Sequence, residues 1–312
     1  MTDPLYSPNY KTMWDAKAAT VKGAMLAVDG SASEDVLRMT GSYTAQQVNA
    51  ALALNASDRV LELGCGVGRI ARVIAPQVAH WEGADISANM LRVARERLAG
   101  LSNVGLTELA CSNLKPLRDA SYDKAYCIAV FIHMDKEDFY LYLEDMARVL
   151  RPGGLFFFDT WTLSSAIGWR RFCLELSQYR DVVPKHRKEV ARNQFTHPEE
   201  VRLFLDYAGF DIVGEFADSP WLQVVAMRRG GDVQAERERV RKDATRIAYS
   251  PLWTELYEIM IHKVLIEGTM TPQQALDTMK DDTRGPEIPL FRAAFIEMWR
   301  LRQETWGSVP RG

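Results

Sequence analysis

Val60-Leu61-Glu62-Leu63-Gly64-Cys65-Gly66-Val67-Gly68-Arg69 is the stretch on which the reading of this chain turns. Val60 to Leu63 is a short apolar run interrupted by one acid, which predicts a buried strand. Glycines follow at once. With no Cβ in the way, they let the backbone turn sharply and approach a ligand closely. A helix starting after them would offer its unpaired N–H groups to that ligand. Asp85 stands 21 positions after Gly64, at the end of the next apolar segment. There a carboxylate can accept both hydroxyls of a ribose. A pyrophosphate site of the nicotinamide type wants glycine where this chain has Arg69. Glu62 would also face like charge in such a site, whereas beside a zwitterionic amino-acid tail or a sulfonium it is better placed.

Outward from the loop, strand and helix signals alternate. His80 to Ala84, Val104 to Leu109, Lys124 to Val130 and Leu155 to Phe158 read as short strands. Asn89–Leu98 and Glu137–Leu150 read as helices between them, which predicts an α/β fold, doubly wound around a mostly parallel sheet. Residues 161–195 break the rhythm as an insertion. Thr196-His197-Pro198 then opens a helix that Gly209 closes, and strands near 211–216 and 221–227 suggest a hairpin at one sheet edge. In residues 1–50, Tyr6, Tyr10 and Trp14 recur at helical spacing, and Val21, Met25 and Leu26 continue that helix until Asp29-Gly30. Residues 231–312 read as a helical extension. Leu252, Leu256, Ile259, Met260 and Val264 share one face there, Thr271 to Gln274 has the form of a capping box, and Phe291, Phe295, Met298 and Trp299 mark a last amphipathic helix. That apolar face needs cover, from the insertion or from a homodimer partner.

Composition narrows the function. Hydrophobic residues are 47% and charged residues 25%, enough for a large core. The net charge of −3 argues against a broad grip on nucleic acid. Cys65, Cys111, Cys127 and Cys173 lack both CxxC spacing and disulfide density, which suits a reducing, cytoplasmic setting. No signal peptide or membrane span is expected. His80, His133, His186, His197 and His262 lack ligand spacing, so no metal is expected.

Three segments in order resemble the class I S-adenosylmethionine-dependent methyltransferases: Glu62–Gly68, Gly83–Leu91 and Arg148–Gly154. The resemblance covers roughly residues 55–230. It implies a seven-stranded sheet with its last strand antiparallel, S-adenosyl-L-methionine as cofactor and a small-molecule substrate methylated on N or O. Residues 51–230 would then be the cofactor domain, 1–50 an N-terminal helical lid and 231–312 the extension. Carried over, Glu62, Gly64, Cys65 and Gly66 would line the methionine part, Asp85 would hold the ribose, and Ile86 and Met90 would pack on the adenine. The family's acidic contact to the adenine amine is replaced by Ala110-Cys111-Ser112-Asn113, leaving Ser112, Asn113 or local backbone for that contact. Tyr122-Asp123 resembles a structural Phe-Asp pair.

Methyl transfer from a sulfonium needs alignment more than acid–base help, so a base is required only for a hydroxyl-type acceptor. The candidate base is His133. Its alternative is a structural role, capping the helix near Asp135 or packing under the cofactor. Asp159 and Trp161, after the fifth strand, are substrate-facing candidates. Tyr6, Tyr10 and Trp14 form either an aromatic lid over the sulfonium or the docked face of an amphipathic helix. Arg170, Arg171, Arg180, Lys185, Arg187, Lys188 and Arg192 give the insertion an excess of positive charge, which is either a site for an anionic substrate or a solvated face. Competing readings are a nicotinamide-dependent oxidoreductase and a non-catalytic cofactor-binding partner subunit. Nucleic acid is not an expected substrate, because neither an Asn-Pro-Pro-Tyr-like tetrad nor a basic appendage is present.

Overall fold

Five parallel strands carry the architecture: β1 (Arg59–Leu63), β2 (His80–Asp85), β3 (Val104–Glu108), β4 (Tyr122–Cys127) and β5 (Leu150–Thr162). The computed structural model describes residues 10–182 and 193–310, which places Tyr6, Lys185, His186, Arg187, Lys188 and Arg192 outside the described residues. β6 (Phe195–Thr196) is a two-residue strand beside Trp161 and Thr162. β7 (Phe210–Phe216) and β8 (Trp221–Arg228) complete the order β3-β2-β1-β4-β5-β8-β7, with β8 antiparallel to both its neighbours. The main path has the expected seven strands, and β6 adds an eighth, too short to leave a periodic signal. The chain leaves β1 toward β2 and β3, then crosses to β4 on the other side. That reversal opens a crevice at the carboxyl ends of β1 and β4, where open α/β sheets bind ligands.

Alternation along β5 sends Phe156 and Phe158 to one face and Leu155 and Phe157 to the other. Three helices precede the sheet: α1 (Tyr10–Lys17), α2 (Val21–Asp29) and α3 (Glu34–Leu52). The single N-terminal helix expected from the spacing is therefore two. The chain breaks before Thr20, whose hydroxyl accepts from Gly23 N at 3.0 Å and starts α2 afresh. Further on come α4 (Ala71–Ile74), α5 (Ala88–Arg97), α6 (Lys136–Val149), α7 (Ala166–Tyr179), α8 (Pro198–Ala208), α9 (Val233–Lys242) and α10 (Ala244–Ile247). Phe139, Leu143 and Met146 of α6 and Leu205 of α8 cover the Phe156 face. Val48 and Leu52 of α3, Ile74 of α4 and Val240 of α9 cover the Phe157 face.

The C-terminal helices build a second core of their own. α11 (Pro251–Tyr257) widens into a π-helical stretch over Glu258–Ile266, which replaces the α-helical period expected there. Leu256, Ile259, Met260 and Val264 are buried against Leu276 of α12 (Pro272–Thr278) and Ile288, Phe291, Phe295 and Trp299 of α13 (Glu287–Arg300). The apolar face is thus covered within the chain. Thr271 and Gln274 form the expected capping box. No helix among the described residues is long and apolar enough to cross a membrane.

Candidate functional site

β1 ends at Leu63, and Gly64 (φ 72°) and Gly66 (φ 51°) turn the chain through left-handed backbone that other residues adopt at a cost. A Cβ on Gly64 would lie 2.3 Å from Val130 Cγ2, so the loop packs directly on the segment after β4. Gly64 N donates to Ala84 O at 2.7 Å, Gly66 N to Asp85 Oδ2 at 2.8 Å and Gly68 N to Cys65 O at 2.9 Å. These glycine N–H groups are engaged within the protein. α4 is a single turn, so the loop's contribution is close approach rather than a row of open donors. Asp85 also accepts from Ser87 N through Oδ1 at 2.8 Å, which fixes its carboxylate at the loop with lone pairs to spare.

Above the loop lies a cavity of about 290 Å³. Its walls bring together Glu62, Gly64, Cys65 and Gly66 with Asp85, Ile86, Met90 and Ser112. Tyr10 and Trp14 of α1 close it on one side, and His133 faces it with Ile132 and Met134. Trp14 meets the His133 ring edge-on at 5.0 Å. His133 itself sits in a 3-10 turn (Phe131–His133) just before α6, and Asp135 is the N-cap residue of that helix.

Three proposed residues stand off the cavity wall. Asn113 is turned to Cys111 Sγ and accepts from Lys115 N, leaving Ser112 as the side chain of that loop on the cavity. Asp159 is buried one layer behind, where Oδ1 accepts from Ala129 N at 2.6 Å. That bond holds Ala129 at φ 59° and ends β4 at Cys127, short of the Val130 expected from the apolar run. Trp161 joins an aromatic cluster, stacked on Trp221 at 4.5 Å, with Arg171 5.5 Å over its ring. Sequence reasoning missed Val28, Tyr142 and the Ile128–Val130 turn as wall residues, and it used Arg69 only to exclude a nicotinamide site. An apolar run past a strand's end was the available signal for the turn.

The electrostatics are dominated by buried acids, with Arg69 as a nearby cation. Glu62 is fully enclosed, and burial pushes its carboxyl up to about 8 against the opposing Tyr126 hydrogen bond and Arg69 charge. Tyr126 Oη donates to Glu62 at 2.7 Å and accepts from Trp81 Nε1 at 2.9 Å. Burial likewise raises Asp85 to about 6 and Asp159 to about 7, opposed by their backbone donors. Such a site favours a ligand that carries positive charge. α1 is pinned over it by several bonds. Asp15 accepts from Ser87 Oγ at 2.7 Å, Lys11 Nζ donates to Ile86 O at 3.1 Å, and Tyr10 Oη accepts from Asp135 N at 3.0 Å. Asp123, of the Tyr-Asp pair, accepts from Arg59 N at 2.8 Å and pairs with Arg151, tying β1, β4 and β5 together. No group of three metal-ligating side chains occurs among the described residues.

Known proteins agree with this geometry. Residues 60–154 match the family described as Methyltransferase domain. Methyltransferase GfsG of Streptomyces halstedii is 38% identical over 125 residues, covering 39% of this chain and 44% of that protein. O-methyltransferase rstn1 of Aspergillus nomiae is 30% identical over 128 residues, covering 40% and 56%. The chain spans about half the length of the curated relatives it matches. A chain of the Haloferax volcanii complex between the Trm112 methyltransferase activator and a methyltransferase superposes with a TM-score of 0.51 at 17% identity, covering 69% of this chain and 97% of that one, a likeness of fold. Sheet order, glycine loop and strand-end acid define a class I S-adenosylmethionine-dependent methyltransferase domain. The matched residues 60–154 carry both the glycine loop and Asp85, and the cofactor of such a domain is S-adenosyl-L-methionine. The cavity's lining fits that group: buried carboxylates to accept from an ammonium and a ribose and to face a sulfonium, beside the apolar Ile86 and Met90.

Proposed function

We propose that this chain transfers a methyl group from S-adenosyl-L-methionine to an oxygen or nitrogen of a small molecule. The carrying observation is the fixed Asp85 carboxylate at the glycine loop, beneath a cavity that α1 closes. When bound, the cofactor supplies an electrophilic methyl on a sulfonium, so the protein's work is alignment and exclusion of water. Asp85 accepts the ribose hydroxyls, Ile86 and Met90 pack on the adenine, and Ser112 meets its edge. Glu62 takes positive charge on the methionine part. Tyr10 and Trp14 act as the lid, and His133 acts as general base toward an acceptor hydroxyl on the cavity's open side. Oxygen is the favoured acceptor because rstn1 is named an O-methyltransferase. Residues 51–230 form the cofactor domain in this reading, with 1–50 as lid and 231–312 as the wall beyond the insertion.

Calorimetry on the full chain tests the reading. S-adenosylhomocysteine should bind at micromolar concentration and NAD much more weakly. Asp85→Ala should cost about 1.5–3 kcal/mol of affinity, the range for hydrogen bonds to a charged group. A preference for NAD, or an unchanged dissociation constant in the folded variant, would overturn it.

A further inference from the structure

The Trp161–Trp221 stack belongs to a closed circuit of five aromatic rings. Trp161 stacks on Trp221 at 4.5 Å, and Trp221 lies 6.5 Å from Tyr249. Tyr249 stacks on Trp253 at 3.9 Å, Trp253 on Tyr257 at 5.2 Å, and Tyr257 returns to Trp161 at 6.1 Å. The two tryptophans come from paired positions of β5 and β8, and the other three rings from α11 and its leader. Tyr249 N donates to Gln223 Oε1 at 3.1 Å, which brings that leader onto the sheet. Trp221, Tyr249, Trp253 and Tyr257 are only half-buried. Burial nevertheless pushes the Tyr257 hydroxyl up to about 12 and that of Tyr249 well above its ordinary value. Rings left open while their hydroxyls are cut off from bulk water belong to a recess rather than a flat face.

This recess has polar atoms to spare. Trp161 Nε1 and Trp221 Nε1 are out of water and have no hydrogen-bond partner among the described residues. Neither ring nitrogen of His262, whose ring meets Tyr257 at 5.5 Å, has one either. Buried donors are normally satisfied, so these mark a place for an acceptor from outside the chain. An indole N–H only donates, and beside stacked rings it suits an oxygen carried on a flat ring. A cation, the other common guest of aromatic rings, is disfavoured here. Arg171 lies 5.5 Å over Trp161, and after burial its charge and that of Arg170 hold His262 down to about 4. The circuit also adjoins the cofactor cavity. Trp161 lies two residues past Asp159 on the same sheet face, and Tyr249 feels the charges of Asp159 and of Arg69, a cavity-wall residue. We infer that the circuit seats a flat, oxygen-bearing aromatic ring of the methyl acceptor. The inference rests on the methyltransferase reading above and names its substrate class, with Trp161 and Trp221 as specificity-determining residues.

The test is a binding experiment on the full chain saturated with S-adenosylhomocysteine. The probes are naphthol, its saturated counterpart decahydronaphthol, and tetramethylammonium. The native protein should bind naphthol about 3–10-fold more tightly than decahydronaphthol, the worth of an aromatic pair, and tetramethylammonium more weakly than either. Trp221→Leu should erase the preference for the flat ring. Trp221→Phe keeps a ring and loses the N–H, so it should keep the preference while weakening both alcohols about 3–10-fold. This milder variant serves if Trp221→Leu does not fold. Affinity for S-adenosylhomocysteine should be the same in both variants as in the native protein. Equal affinity of the native protein for the two alcohols overturns the inference, as does tighter binding of tetramethylammonium. Unchanged naphthol affinity in the Trp221 variants overturns it too. Failure of the native protein to bind S-adenosylhomocysteine is a different result, since it removes the methyltransferase reading itself.

Discussion

At the scale of the residue, this site is a balance of buried charge. Glu62 has an ordinary value of 4.5 in the unfolded chain and about 8 when folded, with burial as the main cause. Between those values the folded protein holds a proton that the unfolded chain has released, so stability falls as pH rises through that window and levels off above it. Glu62→Gln removes the titration and can still accept the Tyr126 hydroxyl. The variant should therefore melt higher than the native protein at pH 8, with the gap shrinking toward pH 5, and should bind S-adenosylhomocysteine more weakly. A melting difference independent of pH would show that Glu62 ionises normally. His133 calls for a different measurement. If it takes a proton from the acceptor, His133→Ala should slow turnover about 10²–10⁴-fold and leave cofactor affinity unchanged. A normal rate per folded molecule, with lowered stability, would assign it a packing role against Trp14.

Among the elements, α1 is the one whose behaviour follows most directly from its contacts. Eight residues are too few for a stable isolated helix, so α1 exists through what it touches. Asp15 is its main anchor, accepting from Ser87 Oγ and Asn89 N at the start of α5. Asp15→Ala should speed amide exchange across residues 10–17 and weaken S-adenosylhomocysteine roughly 3–10-fold, the size of one or two partly exposed hydrogen bonds. Unchanged exchange would show that Lys11 and Tyr10 suffice. Much of the element level was legible beforehand. The strand, loop and acid of β1 and β2 were readable because each is set by a few adjacent residues. The end of β4 was not, because it depends on an acid 30 positions away, Asp159, capturing the Ala129 N–H.

For the whole molecule, the sheet and the C-terminal helices are separate cores joined by polar contacts and by the aromatic pairs Trp161–Tyr257 and Trp221–Tyr249. Gln47 and Gln223 both donate to Ile247 O, at 3.0 and 3.2 Å, where the chain leaves the sheet. Arg170 of the insertion pairs with Glu258 and Glu267, at the start of the π-helical stretch and just past its end. The insertion is thereby tied to the C-terminal helices beside the Trp161–Trp221 stack. The helical face of Leu256 and Met260 could be seen to need burial. That its cover would be Phe291, Phe295 and Trp299 of the same chain could not, since periodicity says how a face is arranged and not what it meets.

The sequence by itself determined the local chemistry: a strand, glycines with left-handed backbone, and an acid at the next strand's end. These follow from φ/ψ preference and hydrophobic period, which act over a few residues. Tertiary structure alone decided which of the named residues meet. It gathered Tyr10, Trp14, Glu62, Asp85, Ser112 and His133 around one cavity, turned Asn113 aside and sank Asp159 behind Ala129. It also brought the Arg69 charge close enough to the buried Glu62 carboxyl to oppose the rise that burial causes. Burial and pairing arise between strands and helices distant in sequence, and the cost of burying a charge is set by what packing places next to it.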